Sequence, residues 1–165
     1  MSSDKERLQT AQWVLERNLA WIAAAEVKVG VIVAIDTAML GGLSATFSSA
    51  DGVGRTTCIW LFAVGAAILL GGALLCAAMA VLPRVSGPEK SLLFFGRIGP
   101  RAEVDYVEHF KKATDAEFLE DWTAQIHRNA QIACDKFSWV RKSMWCSFLS
   151  VMPWVAAIVT LLNGK

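Results

Sequence analysis

One short segment combines glycine and arginine in a way that suits an anion. Gly96 and Gly99 flank Arg97, and Arg101 follows directly after Pro100. Glycine lets the backbone approach a phosphate closely, and arginine supplies charged hydrogen-bond donors. The segment is therefore a candidate phosphate contact. A simple turn that carries two positively charged residues explains the same pattern equally well.

A second residue with chemical potential is Asp36, which interrupts an otherwise apolar run. An ionisable side chain at the centre of a bilayer costs about 3 kcal/mol or more, so its position requires an explanation. Small residues recur nearby at four-residue spacing, which is typical of close helix packing, at Gly30, Ala34, Ala38 and Gly42. Asp36 lies about 200° around the helix from Ala34. It is predicted to face another helix, another protomer or a water-filled lumen, and a hydrogen-bonded Asp inside the monomer is the alternative.

Sequence patterns that would indicate catalysis or metal binding do not occur. The chain contains no phosphate-binding Gly-x-x-x-x-Gly-Lys loop, no His-Glu-x-x-His helix and no Gly-x-Ser-x-Gly turn. His109 and His127 are far apart, and no Cys-x-x-Cys pair is present. We expect no enzymatic activity, no catalytic residue, no metal site and no cofactor.

Composition indicates a membrane protein. Of the 165 residues, 55% are hydrophobic and 19% are charged, and the mean hydropathy is +0.42. Apolar runs at 25–47, 58–82 and 144–162 are long enough, at about 20 residues, to cross a hydrocarbon core. We predict an all-α membrane protein with about three transmembrane helices. Pro153 in the third run leaves an interfacial or re-entrant segment as the alternative there.

Helical patterns also extend into the polar parts of the chain. Residues 1–24 carry apolar side chains at three- and four-residue steps that lead into span one. Residues 83–143 end in a similar stripe that leads into span three, and Thr114 with Glu117 forms a capping box at its start. A short helix is predicted over 101–112. The first and last helices are thus predicted to extend into a cytoplasmic helical bundle, a sensor region within a single structural unit.

The sequence leaves the conformation of one apolar segment open. Residues 92–95 are compatible with a strand, a loop or a membrane-surface contact.

The distribution of basic residues predicts the orientation in the membrane. Three basic residues precede span one, Arg55 alone lies in the hairpin 48–57, and ten basic residues lie between 84 and 142. Because cytoplasmic loops retain positive charge, the N-terminus and central segment are predicted to be cytoplasmic and the hairpin external. The net charge of +1 gives no reason to expect a nucleic acid polymer as partner.

Three short motifs resemble those of the Pycsar effector transmembrane family. One precedes span one, one follows span two and one leads into span three, so the resemblance covers nearly the whole chain. The acidic residue of the first motif is more usually Asp in the family. The matching positions are Trp21, Ile22, Glu26, Lys28 and Gly30, then Phe95, Gly96, Arg97 and Ile98, then Gln125, Ile126, Ile132, Lys136, Phe137 and Arg141.

The resemblance implies an antiphage effector of the bacterial inner membrane. A separate pyrimidine cyclase that senses infection would make cyclic CMP or cyclic UMP, and the messenger would cause this protein to disrupt the membrane and kill or arrest the cell. The bilayer and a homo-oligomer would be its other partners. A membrane scaffold or accessory subunit without pore activity is the alternative.

A messenger of this kind carries one phosphate charge and a flat base, so one or two cationic groups and an aromatic ring would suffice to bind it. The candidate phosphate contacts are Arg97, Arg101, Arg128 and Lys136. Tyr106 and Trp122 are the candidate stacking residues. For the membrane part, the candidates for a pore or oligomer contact are Asp36, Gly30, Ala34 and Ala38.

Overall fold

The computed structural model describes residues 4–49 and 56–163, and these residues form five helices. The prediction of an all-α fold is confirmed. The helices are α1 (Asp4–Ser49), α2 (Thr57–Val81), α3 (Phe95–Ile98), α4 (Glu103–Lys112) and α5 (Asp115–Asn163). The predicted helix over 101–112 corresponds to α4, and most of the predicted external hairpin, 50–55, lies outside the described residues.

Three helices, α1, α2 and α5, are long and apolar enough to cross a membrane. The helix α2 has 25 residues, whereas α1 has 46 and α5 has 49. At 1.5 Å per residue, α1 and α5 are each about 70 Å long, roughly twice the thickness of a hydrocarbon core. The prediction that the first and last spans continue as helices beyond the membrane-crossing length is confirmed, and α5 runs without interruption through Pro153.

The start of α5 is fixed by the predicted capping box. The backbone N–H and hydroxyl of Thr114 donate to Glu117 Oε2 over 2.7 and 2.9 Å, and the Glu117 N–H donates to Thr114 Oγ1 over 3.3 Å. These bonds use backbone donors that a helix start otherwise leaves without partners. The hydrogen bond from the Thr114 backbone N–H, and then that from its hydroxyl, lowers the pKa of the exposed Glu117 carboxyl.

The chain forms two compact units. Unit 1 comprises residues 1–24 and 83–135, and unit 2 comprises residues 25–82 and 136–165. The helices α1 and α5 contribute residues to both units, whereas α2 belongs to unit 2 and α3 and α4 belong to unit 1. In unit 1, Asn18 on α1 donates through Nδ2 to the Ile126 carbonyl of α5 over 3.2 Å.

Small side chains form much of the interior of unit 2. One apolar cluster brings together Ala25 and Val29 of α1, Val140 of α5, and Ala77 and Ala80 of α2. A second cluster contains Leu43 of α1, Ala157 of α5, and two further alanines of α2, Ala63 and Ala66. Alanine lets helix backbones approach closely, which favours packing through van der Waals contact where lipid provides no hydrophobic driving force between helices.

Candidate functional site

Unit 1 contains a cavity of about 630 Å³ with a strongly charged lining. Four basic side chains, Lys90, Arg101, His109 and Lys112, contribute to its wall. Its volume lies in the range of about 300–1,000 Å³ that is typical of small-molecule sites. The cavity therefore has the size and the donors needed to hold a small anion.

Three of the four basic residues come from the end and flank of one short helix. His109 and Lys112 lie in the last turn of α4, where positive charge is favoured by the helix dipole, and Arg101 lies just before α4 begins. His109 Nδ1 donates to the Asp105 carbonyl over 2.7 Å, and Lys112 Nζ lies 2.5 Å from Glu108 Oε1. The helix α4 thus places two side chains in the cavity wall, His109 and Lys112, which are three residues apart.

The α5 side of the cavity is acidic. Glu117, Glu120 and Asp121 line it together with the half-buried ring of Phe118. Phe118 also packs edge-on against Phe110 of α4, with ring centroids 5.0 Å apart. The cavity therefore combines hydrogen-bond donors, acidic acceptors and an aromatic surface, and this combination suits a ligand that carries an anion, hydroxyl groups and a flat ring.

A buried hydroxyl organises the irregular segment that precedes α3. Ser91 is fully buried, and its Oγ accepts hydrogen bonds from the backbone N–H groups of Leu93 and Phe94 over 3.1 and 2.8 Å. The buried Gln125 of α5 donates to the same oxygen over 3.0 Å. Residues 92–94 are neither strand nor helix, because the side chains of Ser91 and Asp121 accept the backbone hydrogen bonds that regular structure would otherwise make.

Asp121 and Tyr106 tie the same segment to α5 and α4. Asp121 Oδ2 accepts hydrogen bonds from the N–H groups of Leu92 and Leu93 over 2.8 and 3.2 Å. The Tyr106 hydroxyl donates to the Leu92 carbonyl over 3.0 Å. Leu92 and Asp121 both line the cavity, so these bonds fix one side of its wall.

Of the six candidate nucleotide contacts, the structure brings Arg101 into this cavity. Arg97 is exposed on α3, and Trp122 is half-buried on α5; neither lines the cavity. Tyr106 is also outside the lining, and its hydroxyl already donates to Leu92. The glycine and arginine pattern of 96–101 therefore identifies one contributing arginine and one that points elsewhere.

Arg128 lies at a different place in unit 1. Its Nε donates to the Ser86 carbonyl over 2.9 Å, its Nη2 bonds the Ser86 hydroxyl, and its Nη1 donates to Gln131 Oε1 over 3.2 Å. It lines a separate cavity of about 460 Å³ beside His127. Arg128 is thus engaged in holding the chain after α2 against α5.

The sequence interpretation missed Lys90, His109 and Lys112. His109 and Lys112 had a usable signal, because residues three apart on the predicted helix 101–112 share one face. Lys90 had none, because it precedes an irregular turn whose shape depends on side-chain bonds from α5.

The remaining nucleotide candidate, Lys136, belongs to unit 2 and makes an ion pair. Lys136 Nζ lies 2.8 Å from Glu26 Oε1, and the side chains are 5% and 51% exposed, respectively. Nearby, the Lys28 ammonium lies 5.2 Å from the centre of the Phe137 ring. Residues from the first and third motifs therefore meet here, and Lys136 is used to join α1 to α5.

Asp36 is completely buried within unit 2. The Ser147 hydroxyl of α5 bonds Asp36 Oδ2 over 2.9 Å and also lies 3.1 Å from the Ser143 carbonyl. Ser143 in turn donates to the Ala73 carbonyl of α2 over 2.8 Å. A short row of hydroxyl groups on α5 thus accompanies the one carboxyl group on the buried face of the α1 span.

Asp36 follows the alternative of a hydrogen-bonded Asp inside the monomer, on the face of α1 that packs within the chain. The buried positions of α1 in unit 2 are Ala25, Val29, Asp36 and Leu43, so the face that contains Asp36 is the one in contact with the other helices. Gly30, Ala34 and Ala38 are exposed on the protomer. These three residues do not pack within the described chain, whereas Gly42 of the same stripe is half-buried beside Trp154. The cores on either side of Asp36 use the opposite face.

Comparisons with known proteins identify the family of the chain. The family model described as the Pycsar effector protein domain matches residues 10–163. The Pycsar effector protein PtPycTM of Propioniciclava tarda is 24% identical over 164 residues, which cover 92% of this chain and 78% of that protein. No solved structure matches the chain.

Fold and composition define a small all-helical membrane protein with a ligand-sized charged cavity. The chain belongs to the Pycsar effector family of transmembrane antiphage effectors, which are generally non-enzymatic. Membership implies a cyclic nucleotide signal made by a cyclase.

The ion pair between Glu26 and Lys136 should stabilise unit 2 measurably. Glu26→Gln removes the carboxylate from a largely buried ammonium, and we expect a loss of about 1–2 kcal/mol, limited by the exposure of Glu26. Thermal unfolding of the purified protein in detergent measures this loss. Glu16→Gln, on an exposed position of the same helix, is the control. Equal stability of Glu26→Gln and the control would contradict a stabilising role.

Proposed function

We propose that this protein binds cyclic CMP or cyclic UMP in unit 1 and then disrupts the bacterial inner membrane, which kills or arrests the infected cell. Family membership supports a cyclic nucleotide as the signal. The observation that carries the location of the site is the cavity of about 630 Å³ with Arg101, Lys90 and Lys112 in its lining.

The chemistry of the cavity suits a cyclic pyrimidine nucleotide. One or two cationic groups match a singly charged phosphate. Arg101 is the best suited of the basic residues in the cavity, because a guanidinium group forms paired hydrogen bonds with phosphate oxygens. Phe118 offers an aromatic surface for the base, in the role first assigned to Tyr106 and Trp122. Base stacking on an aromatic side chain contributes about 1–3 kcal/mol and tolerates either pyrimidine.

We place unit 1 and the N-terminus in the cytoplasm. Most of the basic residues lie in the segments 1–24 and 83–135, as the positive-inside rule requires of a cytoplasmic region. In this arrangement the cavity is accessible to a messenger made in the cytoplasm. The residues 50–55 then belong to the external side.

The two longest helices provide the route by which binding would affect the membrane. Both α1 and α5 contain residues of unit 1 and continue without interruption into residues of unit 2. A continuous helix moves as a stiff element, so a change at its cytoplasmic end shifts or rotates its span. The buried pair of Asp36 and Ser147 would then exchange partners and present polar groups to a new contact or to water.

Association of protomers would use the face of α1 that is exposed. Gly30, Ala34 and Ala38 form a strip of small residues there, and a Cβ atom added at Gly30 would meet nothing within 4 Å. Such a strip permits close contact with a helix of a second copy. The pore or lesion would form as protomers associate after binding the messenger.

The Arg101 side chain is expected to provide a main part of phosphate affinity. Arg101→Ala should weaken cyclic CMP or cyclic UMP binding about tenfold to a hundredfold, because a charge-assisted hydrogen bond is lost. Isothermal titration calorimetry on the full chain in nanodiscs measures this affinity. Arg97→Ala removes an exposed arginine of the neighbouring turn and should bind like wild type. Equal losses in both variants, or no loss in either, would contradict the cavity as the site.

The exposed strip of α1 is expected to control oligomer formation. Ala34→Leu should reduce messenger-dependent cross-linking between protomers at least severalfold, because the larger side chain holds a second helix away. Ala67→Leu makes the same change at an exposed position of α2 and is the control. Cross-linking in membranes followed by gel analysis reports both. A strong effect of Ala67→Leu with none of Ala34→Leu would contradict this proposal and would show that the contact between protomers lies on α2.

A further inference from the structure

Asp121 is a buried carboxylate with one oxygen in use. Its side chain is 8% exposed and lines the cavity of unit 1. Oδ2 accepts the N–H groups of Leu92 and Leu93, whereas Oδ1 is buried and has no hydrogen-bond partner among residues 4–49 and 56–163. A buried carboxylate oxygen without a donor is unfavourable and is rare in folded proteins.

The two backbone donors decide which oxygen stays available. Both N–H groups point at Oδ2, and a half-turn of the carboxylate would only exchange two equivalent oxygens, so one oxygen lacks these donors in either position. Oδ1 can only accept a hydrogen bond, because an ionised carboxylate has no proton to donate. The unmatched group in the cavity wall therefore requires an O–H or N–H donor.

We propose that Asp121 is a specificity-determining residue that accepts a hydrogen bond from the ribose 2′-hydroxyl of the messenger. This inference rests on the proposed function and identifies one contact within the same site. Cyclic CMP and cyclic UMP both carry this hydroxyl on C2′, the ribose carbon adjacent to C3′, which bears the cyclic phosphate. The basic side of the cavity then matches the phosphate of the ligand, and the acidic side matches its sugar.

Contact with Asp121 also links binding to the shape of unit 1. Because Oδ1 is buried, the wall at Asp121 must shift before a ligand hydroxyl reaches it. The same carboxylate holds residues 92 and 93 against α5, so the shift acts on the segment that precedes α3. A ribose that lacks the hydroxyl would bind without this contact.

Asp121→Asn tests the assignment with little change in shape. The two backbone N–H groups keep the amide oxygen in the place of Oδ2, because an NH₂ group there would face two donors. The NH₂ group then replaces Oδ1 and turns an acceptor into a donor. Glu103→Gln makes the matching change at an exposed carboxylate of unit 1 that does not line the cavity, and is the control.

The experiment measures the affinity of the full chain in nanodiscs for cyclic CMP, cyclic UMP and their 2′-deoxy analogues. Wild type and Glu103→Gln should bind the deoxy form about tenfold to a hundredfold more weakly than the ribose form. Asp121→Asn should bind the ribose form more weakly by a similar factor and should show a smaller preference for it, because an amide N–H gives the hydroxyl oxygen only an uncharged hydrogen bond. Asp121→Glu keeps an acceptor and should retain part of the preference, which separates loss of the contact from loss of the fold.

The outcomes separate this inference from the function on which it rests. If wild type binds neither cyclic pyrimidine nucleotide, the proposed function fails. If wild type binds one of them but accepts its deoxy form equally well, the Asp121 assignment is overturned and the function stands. The Asp121 assignment is also overturned if Asp121→Asn keeps the full preference for ribose. It is overturned as well if this variant instead loses a preference for cyclic CMP over cyclic UMP, because Oδ1 would then accept from the 4-amino group of cytosine.

Discussion

A polypeptide inside hydrocarbon must satisfy its own backbone hydrogen bonds, and the architecture of this protein depends on that constraint. Each of the three candidate spans is helical, and α1 and α5 continue as helices well beyond the length that a bilayer requires. The same two helices therefore supply both the apolar part and the charged part of the molecule. Each of these helices contributes residues to both units without interruption, so a structural change in one unit acts on helices that the other unit shares.

Polar groups buried in each unit give those helices defined partners. In unit 2, Glu26 with Lys136 and Asp36 with Ser147 join α1 to α5 between alanine-rich contacts. In unit 1, Asp121 fixes the segment before α3 through backbone donors. Such pairs have few alternative arrangements, so breaking one favours a discrete rearrangement more than a gradual one.

Local signals in the sequence were sufficient for much of the fold. The apolar runs identified the three candidate spans, and Thr114 with Glu117 located the start of α5, because hydropathy and helix capping depend on neighbouring residues. The sequence left open which face of α1 packs within the chain. Small residues at Gly30, Ala34 and Ala38 suit a helix contact with any partner, and the pattern alone does not say whether that partner belongs to the same chain.

The candidate site was harder to predict because it depends on contacts between distant segments. Arg101 came from a local pattern, whereas Lys90 is placed by bonds to α5 that no local pattern records. Lys136 looked like a phosphate contact because its sequence neighbours do not show that Glu26, 110 positions earlier, is its partner. Long-range pairing of charges is the information that a single sequence lacks.

Leakage of a small dye from liposomes that contain the purified protein, with cyclic CMP, cyclic UMP, cyclic AMP or no nucleotide added, tests the central claim most directly. Protease protection first verifies insertion, with unit 1 accessible from the outside. We expect one cyclic pyrimidine nucleotide to trigger leakage, while cyclic AMP and buffer leave the vesicles intact. No leakage with any nucleotide from correctly inserted protein, or equal leakage with all of them, would contradict the account.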